Sequence, residues 1–415
     1  MKFLLIFLFS FSANAAINTQ DVKKNLLKRR AGLTSKITHK RLEKAFRYSR
    51  NKKNNKAIAE LIKLLKQTKK RKYEYALVWQ NLGFMLAGDG KTKKAIKALE
   101  NSLKLNILPY GATLSSIYTL SQLHFAEENF EDAFNTLTEW FAYSNKPKAQ
   151  AYMLMGMILG QKDQKEKALD YVNKAINLEK NPQEKWLQYA LSLNHSLKKF
   201  KNAQKILITL TSQYPEKGKY WKQLYQTYLS TFNDKKALAV MEMAYKEGHI
   251  QEEKEILNMA SLMIYLKMPF KAAVITEKEM KKNRILPTKD NFEFLSQAWY
   301  QAKEMDHALF ALEQAGNISK DGQILAKKGF MLLQSDKWTD AILSFNKSLA
   351  KGKLKNESKV HFALGLAHYN TKDLASALEA LENAQKLDKD NTSIVTWIDQ
   401  IKNQKLAENE RQLKL

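Results

Sequence analysis

The chain has 415 residues, 44% of them hydrophobic, with 6 prolines, 14 glycines and no cysteine. This composition is ample for a core, favours helix over an all-β fold, and excludes disulfides, a thiol nucleophile and thiolate metal sites. The formal net charge is +27 and unevenly spread: residues 21–72 hold 20 lysines and arginines against Asp21, Glu43 and Glu60, a net of +17 that attracts an anionic surface or an acidic partner.

Residues 1–15 read as a secretory signal. Lys2 supplies a short positive start, Phe3 to Phe11 an apolar run, and Ala13-Asn14-Ala15 a small-x-small cleavage site before Ala16. The run is far shorter than the ~20 residues of a spanning helix. No cysteine follows the site, which excludes a lipid anchor there. Residues 16–37 form a polar, basic lead-in. Asn25 to Arg30 fit a turn of helix, but nothing in the pattern there indicates packing.

The stretch from Trp79 to Leu105 sets the pattern for the rest of the chain. Leu82, Gly83 and Leu86 put one apolar stripe on a first helix; Ala95, Leu99 and Leu103 put another on a second. Gly88-Asp89-Gly90 breaks the pattern between them, as a tight turn requires. Gly83 and Ala95 lie 12 residues apart. Two helices cross closely where both present a small side chain, so the stretch reads as an antiparallel hairpin.

The hairpin recurs. The small residue opening each second helix is Ala57, Ala95, Ala133, Ala168, Ala203, Ala237, Ala272, Ala308, Ala341 and Ala377, at spacings of 38, 38, 35, 35, 34, 35, 36, 33 and 36. Twelve residues earlier sit Ala45, Gly83, Ser121, Gly156, Ala260, Ser296, Gly329 and Gly365, with Leu191 and Tyr225 as exceptions. The fifth and sixth hairpins are therefore expected to splay slightly. Pro109, Pro215 and Pro287 follow second helices, where proline stops a helix. The array spans 38–391. A capping helix is expected over 392–406, with Ile394, Trp397, Ile398 and Ile401 on its apolar face, then a frayed tail over 407–415.

No motif of phosphate-loop, serine-elbow or HExxH type occurs. His361 and His368 share a helix face two turns apart and read as ordinary helix residues. The repeats leave no room for a catalytic domain. The chain is read as a non-enzyme without cofactor, metal, nucleic-acid partner or small-molecule substrate.

Residues beside the packing positions of the first helices point into the concave groove of such an array. The early repeats contribute Phe46, Phe84, Tyr118, Phe125, Met153 and Met157. The middle contributes Lys185, Gln188, His195, Lys219, Lys222 and Gln226. The late repeats contribute Tyr300, Phe330, Phe362 and Tyr369. Aromatic and methionine side chains in a groove are candidate peptide anchors; the competing reading is packing against the next repeat.

The recurrence matches the 34-residue period of the tetratricopeptide repeat. Residues 38 to about 390 resemble tetratricopeptide proteins, which implies an all-α fold: a right-handed superhelical solenoid of about ten helix-turn-helix repeats with a C-terminal capping helix. The key asparagine position of the carboxylate clamp found in chaperone-binding members holds Phe84, Gln122 or Met157 in repeats two to four, so carboxylate capture of that kind is not expected. Several segments resemble a narrower group: Ala76–Pro109, those around Trp186 and Tyr220-Trp221, Ala237–Gly248, PFKAAVITEKEM, and LGLAHYNTKDLASALEALENAQK. That group is the exported tetratricopeptide proteins encoded with TonB energy-transduction systems of Gram-negative bacteria. Thr276 and Glu279 depart from it, standing where apolar residues are usual, and put the seventh repeat's packing in question.

The resemblance implies a periplasmic scaffold, cleaved after Ala15, that holds TonB-type or other envelope proteins. It would serve the TonB–ExbB–ExbD system in outer-membrane import of siderophore-bound iron or similar nutrients. Residues 21–72 offer a contact to an anionic membrane surface or an acidic segment, and with it an inner-membrane association. A scaffold role in envelope or polysaccharide assembly is the alternative, and a cryptic envelope enzyme a third reading.

Overall fold

The computed structural model describes residues 20–412. The expected signal segment, 1–15, lies outside the described residues, as do residues 413–415 of the tail. Among the described residues there are 22 helices and no strand. After α1 (20–27) come ten hairpins. Five are α2 (Lys36–Arg50) with α3 (Asn54–Thr68), α4 (Lys72–Gly88) with α5 (Thr92–Lys104), α6 (Tyr110–Ala126) with α7 (Phe130–Tyr143), α8 (Ala149–Gln161) with α9 (Lys165–Asn177), and α10 (Glu184–Ser196) with α11 (Phe200–Gln213). Five more are α12 (Gly218–Ser230) with α13 (Asp234–Lys246), α14 (Glu253–Tyr265) with α15 (Pro269–Lys281), α16 (Lys289–Gln301) with α17 (Met305–Ile318), α18 (Gln323–Leu333) with α19 (Trp338–Lys351), and α20 (Glu357–Asn370) with α21 (Leu374–Leu387). The chain divides into two compact units, one up to Leu210 and one from Thr211, each an α-solenoid of successive hairpins.

One turn recurs in all ten hairpins. The residue five before each anchor alanine has positive φ: Lys52, Gly90, Glu128, Asp163, Lys198, Phe232, Lys267, Lys303, Asp336 and Lys372. The next N–H reaches back five residues, as from Lys91 to the Leu86 oxygen (2.9 Å) and from Met268 to the Met263 oxygen (2.8 Å). This is a Schellman closure of the first helix. The same residue's carbonyl then accepts from the anchor alanine, Ala95 N to Lys91 O at 3.0 Å for example, and so opens the second helix. Only one turn uses glycine at the left-handed position. Phe232 holds it with φ 55° and is 92% exposed, a costly conformation for a bulky side chain.

All ten anchor alanines are fully buried. In the glycine-bearing pairs the first helix approaches them too closely for a larger residue. A Cβ on Gly156 would fall 3.0 Å from the Ala168 carbonyl oxygen, and one on Gly365 would fall 3.2 Å from that of Ala377. Four residues past each alanine a second position is closed: Leu61, Leu99, Leu137, Val172, Leu207, Thr276, Leu312, Phe345 and Leu381 are fully buried, and Met241 nearly so. Where Tyr225 replaces the small residue, the α12–α13 contact is less extensive than in the glycine-bearing pairs α4–α5, α8–α9 and α20–α21. It is less extensive again between α14 and α15, where Thr276 takes the second position.

First and second helices differ in environment. A first helix such as α4 is covered on several sides, with Ala76, Val78, Leu82 and Leu86 buried and Tyr75, Leu77, Trp79 and Phe84 packed against the same core. A second helix such as α5 buries one face, through Ala95, Ala98, Leu99 and Ser102, and turns the other outward. The terminal helix α22 (Thr392–Gln412) buries Ile394, Ile398 and Ile401 against α21, and Trp397 packs edge-on to Tyr369 at 5.2 Å. It continues helically past 406, through residues expected to fray.

The basic lead-in is also packed, which its sequence did not suggest. Leu26 of α1 is buried. Lys23 Nζ donates to the Ser144 carbonyl (3.4 Å), Arg29 Nη2 donates to Asn106 Oδ1 (2.8 Å), and Gly32 lies against the Tyr73 ring. The segment thus runs along the connections between the first four hairpins.

Two buried carboxylates tie hairpins together. Glu74 accepts from the Ser35 N–H (2.9 Å) and from the Thr38 hydroxyl, beside Arg71. Glu279, fully buried, accepts from the Tyr245 hydroxyl (2.6 Å) and pairs with Arg284 and Lys282. Thr276 satisfies its own hydroxyl by donating to the Ala272 carbonyl (2.7 Å). The seventh repeat therefore packs with its polar positions matched rather than apolar. Burial alone would raise the Glu279 pKa, but the Tyr245 hydrogen bond and the Arg284 guanidinium outweigh it and hold the group below its ordinary 4.5. Burial and the same carboxylate push Tyr245 up to about 12.

These contacts make two predictions for stability. Ala95→Leu or Ala237→Leu overpacks a crossing and should destabilise by about 1–3 kcal/mol in urea unfolding, mostly within neighbouring hairpins; no change in either would show that these crossings are not close-packed. The Glu279 carboxylate has a lower pKa folded than unfolded, so its stabilisation is complete above the unfolded value of 4.5 and is lost as pH falls through the folded one. The urea midpoint should therefore drop on acidification, with a shallower drop in Glu279→Gln; identical pH slopes would remove Glu279 as a source of acid sensitivity.

Candidate functional site

The first helices carry a line of side chains at i, i+3 and i+4 spacing beside each crossing residue. The position three before the crossing turns toward the next first helix. Gln80 in α4 donates to Ser116 Oγ in α6 (2.8 Å), and Lys222 in α12 pairs with Glu255 in α14 (2.7 Å). Met153 holds this position in α8 and is 5% exposed within the core, so it is a packing residue and not a groove anchor. Lys222, at the same position, is tied into the inter-repeat contact, and its ion pair with Glu255 raises its pKa.

The positions one and four after the crossing are more open. Phe46 and Tyr300 are 41% exposed, and Phe84, Phe125, Met157, His195, Phe330 and Tyr369 are half-buried. Tyr118, three before Ser121, is half-buried, and Lys185, near the start of α10, is exposed. Phe125 packs on Phe130 (5.7 Å) and His195 near Phe200 (6.2 Å), each tying its helix to its own turn. Tyr369 lies beneath the terminal helix.

Two of these aromatics share one cleft. In the unit from Thr211, α16, α18 and α20 enclose about 440 Å³ lined by Tyr300 and Phe330 with Gln297, Gln323, Lys327, Lys355, Asn356 and Lys359. The crossing residues place both rings: Tyr300 lies one turn after Ser296, and Phe330 directly follows Gly329. Phe330 is braced edge-on by Phe345 (5.1 Å), and Lys359 Nζ stands 5.3 Å from its ring centroid. Asn356 caps α20 by accepting from the Lys359 N–H (2.9 Å), which fixes the approach of that lysine. Among the described residues, the one carboxylate paired with these lysines is Glu293, 3.6 Å from Lys327. In the other unit Tyr118 lies in a smaller cleft of about 270 Å³ with Trp140, Lys146 and Lys148; Tyr118 and Trp140 are 5.3 Å apart.

Aromatic faces, amides and lysines in one concave site suit a peptide carrying carboxylates and apolar side chains. Among the described residues no group of three or more His, Cys, Asp or Glu side chains is placed to hold a metal ion. His361 and His368 do not converge; each faces its own carboxylate, Glu357 at 3.8 Å and Asp373 at 3.4 Å. Lys355, Lys359, Lys146 and Lys148 lie outside the first-helix stripe, on turns and helix starts, so stripe periodicity alone misses them.

Residues 149–182, the α8–α9 hairpin, and residues 358–391, the α20–α21 hairpin, each match the tetratricopeptide repeat family. The chain is similar to a BBSome complex member BBS4 homolog of Drosophila melanogaster, with 32% identity over 105 residues, 25% of this chain and 21% of that relative. It spans about a fifth of that relative's length. Among solved structures it is similar to a tetratricopeptide repeat protein from Parabacteroides merdae (14% identity, 64% of this chain and 99% of that one, TM-score 0.39). Another is YrrB, a TPR protein with an unusual peptide-binding site (16% identity, 45% and 91%, TM-score 0.37).

The placements separate groove from core by a simple measurement. Tyr300→Ala should leave stability within about 0.5 kcal/mol of the parent, whereas Met153→Ala should cost about 2–5 kcal/mol. Denaturant unfolding of both variants checks this, and a reversed order would overturn the assignment.

Proposed function

We propose that this chain is an exported scaffold that binds a protein partner through the inner faces of its hairpins, without chemistry of its own. The observation that carries this is the cleft at Tyr300 and Phe330, where two aromatic rings and three lysines line one concave surface. Its tetratricopeptide hairpins fit a protein-binding role. The narrower reading rests on the resemblance of Ala76–Pro109 and the later segments to exported proteins encoded with TonB systems. On that reading the partner is a TonB-type periplasmic protein, the compartment is the periplasm, and the process served is outer-membrane import of siderophore-bound iron or a similar nutrient. No helix among the described residues is long and apolar enough to cross a membrane. The lysines and arginines of residues 21–72 would turn the unit up to Leu210 toward anionic headgroups or an acidic partner segment.

The full-length protein should capture a TonB-type periplasmic segment in a fluorescence anisotropy titration. Tyr300→Ala combined with Lys355→Glu and Lys359→Glu should weaken that capture by at least about tenfold, ~1.4 kcal/mol or more. Added salt should weaken the parent further. Unchanged binding in the triple variant would move the site off this cleft. Absence of binding in the parent would remove the TonB partner. Mass spectrometry of native protein should find Ala16 at the N-terminus; intact Met1 in a cytosolic fraction would end the export reading.

A further inference from the structure

The second helices turn one register outward in every hairpin. The residue two past each anchor alanine is exposed in all ten. The first five hairpins place Ala59, Lys97, Asn135, Asp170 and Lys205 there, as a solvated face should. Three consecutive hairpins of the other unit do not: α15, α17 and α19 present Val274, Phe310 and Leu343, exposed at 43%, 66% and 58%. Phe270 and Met243, both 53% exposed, join them from neighbouring outward positions on α15 and α13.

This apolar stripe is also concave. Between α13 and α15 lies a cleft of about 810 Å³, floored by Met259 and Met263 of α14. Its walls carry Ala239 and Met243 on one side and Phe270 and Val274 on the other, each pair one helical turn apart. A second, smaller cleft of about 280 Å³ lies between α15 and α17, with Phe292, Trp299 and Phe310 in its lining. The bond from the Tyr245 hydroxyl to Glu279 joins α13 to α15 at one end and holds the walls apart at a fixed distance. Charge at the cleft is one-sided. Glu242 pairs with Lys271 (3.7 Å) within the lining, and Lys246 and Lys278 add two further cations toward the Tyr245 end.

We propose that this outer cleft between α13 and α15 docks an amphipathic helix of a partner protein. Its apolar stripe would lie on Met243, Phe270 and Val274, and its acidic residues would meet Lys246 and Lys278. An open trough between two helices, with apolar contacts one turn apart on both walls, matches the face of a third helix. An acyl chain in the same trough would keep one side in water, because the wall residues are about half exposed. The two lysines select carboxylates at one end. The site shares no residue with the Tyr300 and Phe330 cleft and does not depend on the reading given for it.

The test uses the full chain and two labelled synthetic helical peptides of about 14 residues. Both carry leucines at i, i+3, i+4 and i+7 spacing. One is flanked by glutamates; the other carries lysines in their place. The acidic peptide should bind in fluorescence anisotropy and the basic one should not. Val274→Asp should weaken the acidic peptide by at least about tenfold. Lys278→Glu, on an exposed side chain, should weaken it as well and reverse the preference between the peptides. Circular dichroism checks the fold of each variant, and Lys278→Glu carries the test if Val274→Asp unfolds. Equal binding of both peptides, or acidic-peptide binding that survives both substitutions, overturns the proposal. So does self-association of the parent in sedimentation velocity that Val274→Asp abolishes, which assigns the stripe to a second copy. Binding to phosphatidylglycerol vesicles that Val274→Asp abolishes, with no peptide binding, assigns it to a membrane.

Discussion

Everything in this molecule is built around the approach of two helix backbones at one alanine. A side chain of a single carbon at the start of each second helix lets the first helix come close enough for a glycine, alanine or serine opposite to be sealed. The Schellman turn exists to deliver that alanine: its last carbonyl is the acceptor for the alanine N–H. The turn, the crossing and the second closed position four residues later form one rigid unit of about thirty-four residues. Side chains at other positions are then free to vary, provided they respect the face on which the crossing places them. Function in such a chain is a matter of which faces carry which residues.

Much of this was legible in the sequence because the constraint is local. The ten alanines recur at near-constant spacing, and the structure buries every one of them. Two members of the expected inner stripe, Tyr300 and Phe330, line one cleft. Met153 was misplaced for a physical reason. Helical spacing says that two residues lie on one face, but it does not say where the neighbouring helix begins to cover that face. The lysines at 355 and 359 were missed because they come from a turn and a helix start, outside the stripe. Thr276 and Glu279 looked like defects because the partners that satisfy them, the Ala272 carbonyl, Tyr245 and Arg284, are identifiable only once the helices are in place. The packing of α1 rests on Leu26 and a few long-range hydrogen bonds, which leave no periodic trace in a basic segment.

The two surfaces of the unit from Thr211 divide by chemistry. Its inner cleft mixes aromatic rings with lysines and amides, while its outer face replaces the expected polar register with Val274, Phe310 and Leu343. The first unit keeps its outward register polar or small and instead concentrates basic side chains in residues 21–72. A repeat whose core is fixed by a handful of buried positions can specialise in this way hairpin by hairpin, without altering the scaffold beneath.

The packing of α1 also bears on the order in which the first unit assembles. Contacts between elements otherwise join helices one or two apart along the chain, so a hairpin can close on itself with little loop entropy to overcome. The hydrogen bonds of this segment span 121 residues from Lys23 of α1 to Ser144 and 77 from Arg29, just past α1, to Asn106. They have no surface to land on until the turns after α5 and α7 exist. The beginning of the described chain is therefore the part of this unit that settles last: the hairpins nucleate and zip, and α1 then latches across the turns that they have made.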